Sequence, residues 1–370
     1  MDISLRQLLD LASRTPVIVR AHPLLRFRLG HGIAIYSSLK GFKKAVNSLD
    51  PLEDLPTIIF SNDVDLDERF SMALPVVNCT YNAFQDDQFN YTLFREFDEI
   101  CAMPEMLKQS KVPDYIVDWV KKNQPHVVML LIIDGLSYRD MQDQDHVLPC
   151  LVDGPTLTFN GMTRIVGSPP LAQRLFELGF FKRFGFSYWD RHNDLADQLF
   201  YTFTQGQLKT VKSFEEVCEW IRPNNLAEKT YIQVVRTGLD GYVHGHRDSP
   251  PIDLLVECIR NDIKRIVNKL QDLKMPFLFV MTADHGILWE KDFPKELTVL
   301  EQGAVPIRYF KGDVKNLPKE VLPWGHFHKE EQIFALSLAY YRRKLKATEW
   351  GCHGGISIYE SFVPLMKVVG

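Results

Sequence analysis

The sequence lacks an excess of either charge, a membrane-length apolar run, internal repeats and any cysteine framework, and each absence removes a class of protein. Its 370 residues carry 43 Lys and Arg against 47 Asp and Glu, a net charge of -4. No whole-surface attraction for nucleic acid follows, which leaves only a local basic groove. The strongest apolar run, Val127 to Ile133, is far short of the roughly 20 residues a bilayer span needs. Six cysteines (Cys79, Cys101, Cys150, Cys218, Cys258 and Cys352) form no CxxC pair, the usage of reduced, mostly buried thiols. The opening Met1-Asp2-Ile3-Ser4-Leu5-Arg6 has no basic and then apolar leader, so a cytoplasmic protein with no membrane partner is expected. What remains is ordinary: 45% hydrophobic and 24% charged residues exclude disordered, collagen-like and coiled-coil chains. The length suits a large α/β domain with a smaller one.

Residues 1–124 read as an accessory α/β domain. They hold an amphipathic opening helix (Leu5, Leu8, Leu9, Ala12), short strands at Val17–Val19 and Thr57–Phe60, and a closing helix near Asp114 to Lys122. A boundary is expected where Lys121-Lys122-Asn123-Gln124-Pro125 ends that helix. Residues 125–370 then change pattern. Val127–Ile133, Tyr231–Val235 and Phe277–Met281 are continuous apolar runs, the mark of parallel strands buried on both faces. Between the last two, Ile252, Leu255, Val256, Ile259, Ile263, Ile266, Val267, Leu270 and Leu273 recur at helical steps, completing a βαβ unit. A later helix is expected over about Glu330 to Tyr341, and a strand within Gln302 to Tyr309.

Each apolar run leads into acid or histidine: Asp134-Gly135 after the first, Asp240 and His244 after the second, Asp284-His285-Gly286 after the third. Open parallel sheets bind ligands beyond the carboxyl ends of their strands, so these side chains are expected on one rim. One such aspartate alone is more often a turn former or helix cap. Together they repel or stay half-satisfied unless a cation neutralises them. Mixed Asp and His ligands suit zinc or manganese better than calcium or magnesium. The segment Asn160-Gly161-Met162-Thr163-Arg164 reads as a Gly-flanked turn exposing the Thr163 hydroxyl, with Ser168 as the fallback, ahead of a helix opened by Pro170. His353 stands among Gly351, Gly354 and Gly355, where little obstructs it. The basic stretch Arg342-Arg343-Lys344-Leu345-Lys346 reads as a solvated helix end, or as a phosphate-backbone contact.

The order of these motifs resembles the alkaline phosphatase superfamily, and within it the PglZ branch found in bacteriophage-exclusion (BREX) defence. Strand-Asp-Gly is followed by a Thr-bearing turn, Asp240-x-x-x-His244, Thr282-Ala283-Asp284-His285-Gly286 and His353-Gly354-Gly355-x-Ser357-x-x-Glu360-x-x-Val363-Pro364-Leu365. The likeness covers about Val127 to Leu365. It implies a three-layer alkaline-phosphatase-like α/β domain with a mostly parallel central sheet. It further implies two divalent metal ions, zinc before manganese: Asp134, Thr163, Asp284 and His285 on one, and Asp240, His244 and His353 on the other. Thr163 becomes the nucleophile and Arg164 a phosphate contact, while His246 and Arg247 are either support, substrate contacts or solvated loop. The implied activity is a phosphodiesterase or nuclease acting on nucleotides or oligonucleotides in cytoplasmic anti-phage defence, with nucleic acid or other defence proteins as partners. A phosphomonoesterase, a phosphoryl transferase and a non-catalytic scaffold subunit are the alternatives. A sulfatase is disfavoured, because neither Cys150 nor Cys218 lies in the Cys/Ser-x-Pro-x-Arg context that formylglycine requires.

Overall fold

All seven side chains of Val127–Ile133 and all seven of Phe277–Ala283 are buried, so both strands need partners on each edge and cover on each face. A computed structural model supplies them. It describes residues 2–29, 32–36, 39–47, 55–60, 74–79, 81–144, 146–188, 207–211, 213–236, 238–243, 251–300 and 307–370. The central sheet has seven strands, in the order Val147–Leu151, Phe362–Val369, Phe277–Ala283, Val127–Ile133, Thr230–Arg236, Lys182–Tyr188 and Gln207–Thr210. The last five pair in parallel, and Phe362–Val369 runs antiparallel to both its neighbours. This is the mixed α/β fold with a mostly parallel central sheet that the sequence leads one to expect.

Register places the chemistry. Ile133 lies level with Ala283 on one side and Arg236 on the other, so Asp134 and Asp284 leave adjacent strands at the same height of the rim. The helix Ile252–Asp272 covers a face through Val256, Ile259, Ile263, Ile266 and Leu270, the three- and four-residue stripe of an amphipathic helix.

The chain divides into two compact units, residues 1–92 and 93–370. In the first, a five-stranded parallel sheet is ordered Asp2–Ile3, Val76–Cys79, Val17–Arg20, Thr57–Phe60, Ala34–Tyr36. It encloses Leu8, Val17, Val19, Leu25 and Ile58. The division falls ahead of the 124/125 boundary read from the sequence. The helix Val112–Asn123 buries Ile116, Val117 and Val120 in the same core as the Val127–Ile133 strand.

Two local expectations are corrected. Instead of a helix over Glu330 to Tyr341 there are strands, Ile333–Leu336 and Tyr340–Tyr341. Ile333–Leu336 is buried along its whole length between Tyr309–Lys311 and Gly325–His328. A helix there would have exposed part of an unbroken apolar run, and Gln332 at φ 54° turns the chain into the strand. The basic stretch is likewise no helix end. Arg343 is 8% exposed and donates two 2.8 Å bonds to the Glu349 carboxylate, while Arg342 lies over the Phe310 ring. Within Gln302 to Tyr309, only residues from Ile307 onward are described, and the strand there is Tyr309–Lys311.

Candidate metal centre

At the rim, Asp284 Oδ1 accepts from the Gly135 and His285 amides, both at 2.9 Å. Asp284 Oδ2 and Asp134 Oδ1 are buried, and neither has a hydrogen-bond donor among the described residues. Burial drives the Asp134 carboxyl well above its ordinary value, and the charges of Asp284 and Asp240 push in the same direction. Asp284 is raised by burial, partly offset by His285 and by its two amide donors.

The histidines are oriented by their far nitrogens. His285 Nδ1 lies 3.1 Å from the Gly286 carbonyl and His353 Nδ1 3.0 Å from the Thr156 carbonyl. A carbonyl only accepts, so each Nδ1 carries a proton and each Nε2 is the nitrogen turned toward the carboxylates. His285 Nε2 is 3.6 Å from Asp284 Oδ2, 3.9 Å from Asp134 Oδ1 and 4.0 Å from Asp240 Oδ1. His353 Nε2 is 3.2 Å from Asp240 Oδ1, and the two rings stack at 4.1 Å. Two imidazole nitrogens and three carboxyl groups thus converge on one spot, a donor set that a metal cation gathers once their protons leave. Two overlapping groups satisfy a metal's reach: Asp134, Asp284 and His285, and Asp240, His285 and His353, with ligand atoms within 4.8 Å of one another in each. The donor set fits zinc or manganese ions.

Five of the residues singled out in the sequence therefore come together: Asp134, Asp240, Asp284, His285 and His353. His244, His246 and Arg247 lie outside the described residues. Thr163 is not brought to the cluster. The segment expected as a turn is part of a helix, Thr158–Val166, and Thr163 is exposed with its hydroxyl donating to the Phe159 carbonyl at 2.8 Å. The hydroxyl that reaches the centre is that of Thr158, 3.2 Å from His285 Nε2. Five residues along a helix amount to about 140° of rotation, so the two threonines face apart. Gly161 explains the misreading. It permits close approach rather than a turn, since a Cβ there would lie 2.0 Å from the Asp284 carbonyl oxygen. The buried Met162, Ile165 and Val166 were the helical signal available in the sequence. Arg164 bonds Gln109 and the Pro155 carbonyl, and Ser168, the fallback nucleophile, is exposed.

The loop bearing His353 is held by a buried pair the sequence did not disclose. Arg308 and Glu360 are both 0% exposed, with Arg308 Nη2 donating to Glu360 Oε2 at 2.9 Å and Nε to Oε1 at 3.2 Å. Glu360 also accepts from the Gly355 amide at 2.8 Å and the Ser357 hydroxyl at 2.7 Å. Thr156 Oγ1 donates to the Gly355 carbonyl at 2.8 Å, which fastens this loop to the segment entering the Thr158 helix.

The raised carboxyls set the pH response of the metal-free protein. A folded value above the unfolded one contributes stability that is present in acid and lost as pH rises through the folded value. Metal binding must displace those protons. The zinc-induced rise in melting temperature is therefore expected to grow as pH rises through the raised folded values of these carboxyls, reaching about 8 °C at zinc a hundredfold over its Kd. A rise independent of pH in differential scanning fluorimetry would show that Asp134 and Asp284 are not ligands.

No protein-family model and no curated protein matches the sequence. Solved structures do show likeness. Murine ectonucleotide pyrophosphatase/phosphodiesterase 5 is 13% identical over 64% of this chain and 87% of its own, with a TM-score of 0.40. An inactive variant of it was solved with AMP. Phosphonoacetate hydrolase from Sinorhizobium meliloti 1021, bound to phosphonoformate, is 12% identical over 66% and 90%, with a TM-score of 0.41. The C-terminal periplasmic domain of the phosphoethanolamine transferase EptC from Campylobacter jejuni is 9% identical over 66% and 79%, with a TM-score of 0.36. Among the described residues, no helix is long and apolar enough to cross a membrane.

Proposed function

We propose that the chain is a metal-dependent phosphoesterase. In this reading Asp134, Asp240, Asp284, His285 and His353 hold two divalent ions, zinc before manganese, and His244 joins Asp240 and His353 as the sequence resemblance implies. Thr158 takes the role of nucleophile that the resemblance gave to Thr163. The observation that carries the reading is the meeting of two imidazole Nε2 atoms with three carboxyl groups beside the Thr158 hydroxyl. All these residues lie within 125–370, the segment assigned to catalysis from the sequence, with 1–124 kept as accessory.

Bound ions would lower the pKa of the hydroxyl and neutralise phosphate oxygens. The chain's own part is to place the attacking oxygen and receive the anion. Thr158 opens a helix whose first turn has no side-chain cap, so its free N–H groups are available to a phosphate oxygen. Thr158 Oγ1 displaces the alcohol from phosphorus, giving a phosphothreonine ester that water hydrolyses. The finer reading is a PglZ-type phosphodiesterase or nuclease, acting on nucleotides or oligonucleotides in cytoplasmic phage defence. Its support is the order of motifs from Asp134 to Leu365, and fold likeness never fixes a substrate.

The test is metal analysis of the purified protein, with turnover of bis-p-nitrophenyl phosphate and p-nitrophenyl phosphate before and after chelation. Diester cleavage that disappears with chelator and returns with zinc or manganese is the expected result. Faster monoester cleavage would turn the assignment to a phosphomonoesterase. No cleavage of either ester by metal-loaded protein would overturn it and leave a scaffold with structural metal.

A further inference from the structure

Gln109 is 0% exposed, in a short 3-10 turn to which the sequence draws no attention. Its Nε2 donates to two successive carbonyls at the end of a central strand, Ala283 at 2.9 Å and Asp284 at 2.8 Å. Its Oε1 accepts from Arg164 Nε at 3.0 Å. The amide's orientation is settled by its neighbours, because carbonyls cannot donate and a guanidinium cannot accept. Every hydrogen of the amide group is used.

Arg164 belongs to the helix that Thr158 opens, and its Nη2 donates to the Pro155 carbonyl, in the segment entering that helix, at 2.6 Å. It is nearly buried, with a side chain 13% exposed and the Glu331 carboxylate 3.8 Å away. The turn around Gln109 also grips the segment from the other side. The Ser110 amide donates to Asp153 Oδ1 at 3.0 Å, and the Leu151 amide donates to the Leu107 carbonyl at 2.8 Å. The same Asp284 carbonyl lies where Gly161 lets the helix approach. A single buried amide thus spans the two elements whose separation sets the Thr158–His285 distance of 3.2 Å.

We propose that Gln109 and Arg164 form a brace that positions the Thr158 hydroxyl against the Asp284–His285 corner of the metal centre. Both are positioning residues: they touch backbone and each other, with the Glu331 carboxylate as the one further partner, of Arg164, among the contacts described. The role rests on the phosphoesterase reading for its kinetic consequence, but the geometry of the corner can be read without turnover. Neither apolar packing nor simple helix support requires a side chain that meets two consecutive carbonyls and an arginine at once. Misplacing a reacting group by about 1 Å costs on the order of a hundredfold in rate, so the brace has a large lever on kcat and little on substrate binding.

The test uses the full chain with Gln109→Glu, Gln109→Met and Arg164→Lys. Gln109→Glu keeps the bond to Arg164 and loses the donors to the two carbonyls, whereas Gln109→Met loses both ends at similar volume. Each variant is loaded with cobalt(II), and its metal stoichiometry and visible absorption spectrum are compared with the parent, followed by kcat and KM on the diester. The expected result is full metal stoichiometry, a changed cobalt spectrum, and kcat lowered about tenfold to a hundredfold with KM within about twofold. The loss in Gln109→Glu/Arg164→Lys should be smaller than the product of the single losses, as for residues acting through one contact. If a Gln109 variant does not fold, Arg164→Lys alone gives the same spectral and kinetic readings. Parental spectrum and kcat in the folded variants, whatever their melting temperatures, would overturn the brace. A parent that cleaves neither ester would instead overturn the phosphoesterase reading, while the cobalt spectra would still decide on the brace.

Discussion

Thr158→Ala is expected to lower kcat for the diester by about 10³-fold or more, on the order of 4 kcal/mol of barrier, while Thr163→Ala stays within about twofold. The two residues offer the same chemistry, so position alone separates them. Thr158 Oγ1 is 3.2 Å from the His285 nitrogen that faces Asp134 and Asp284. Thr163 Oγ1 is exposed and spends its proton on the Phe159 carbonyl one turn back. Thr158→Ser keeps a hydroxyl at the same site and should recover part of the rate, which separates loss of the nucleophile from loss of packing. Zinc content is measured beside each rate, since Thr158 can also lie against the ion. More than a tenth of the parental kcat in metal-loaded Thr158→Ala would remove this residue from the reaction. A large loss in Thr163→Ala would mean that the helix is entered differently.

That pair also measures how far a sequence discloses its site. The runs Val127–Ile133 and Phe277–Met281 were legible because burial on both faces leaves no polar position to interrupt them, and an acid closely after each then had to lie on the rim. His353 was legible because glycines left it unobstructed. The position of Thr158 beside His285 is not legible in the sequence, because Gly161 has two meanings that one sequence does not separate. A glycine in a helix costs about 1 kcal/mol against alanine, so a turn was the natural reading. Only the nearness of the Asp284 carbonyl shows that the missing Cβ is a packing requirement. The run Ile333–Leu336 was misread for the reverse reason. Its spacing to Tyr340 and Tyr341 fits a helix, and only the strands on either side decide against one. Gln109 and Arg308 carry no local signal, because their partners are more than a hundred residues away or in other segments: Gln109 with Ala283 and Asp284, Arg308 with Glu360.

Arg308→Met gives the second large expected effect, and it separates stability from metal binding. Burial alone would lower the Arg308 pKa, but the Glu360 carboxylate overrides it and holds the guanidinium charged. Removing the cation leaves Glu360, 0% exposed, without its counter-charge. Such a loss costs about 3–5 kcal/mol, or roughly 6–20 °C in melting temperature for a unit of this size. Replacing both partners by apolar groups is often close to neutral, so Arg308→Met/Glu360→Leu should recover much of that loss. It should not recover zinc affinity. Glu360 also receives the Gly355 amide and the Ser357 hydroxyl, and those bonds hold the loop that presents His353 to Asp240. Loss of such supporting contacts typically lowers metal affinity about 10–100-fold. The expected pattern is therefore a double variant that melts above Arg308→Met but below the parent, since the Gly355 amide, the Ser357 hydroxyl and the carbonyls of Leu336, Ser337 and Tyr340 lose their partners, with weakened zinc binding by competition with a chromogenic chelator. Parental zinc affinity in the double variant would mean that His353 is held without this pair, and that Arg308 and Glu360 serve folding alone.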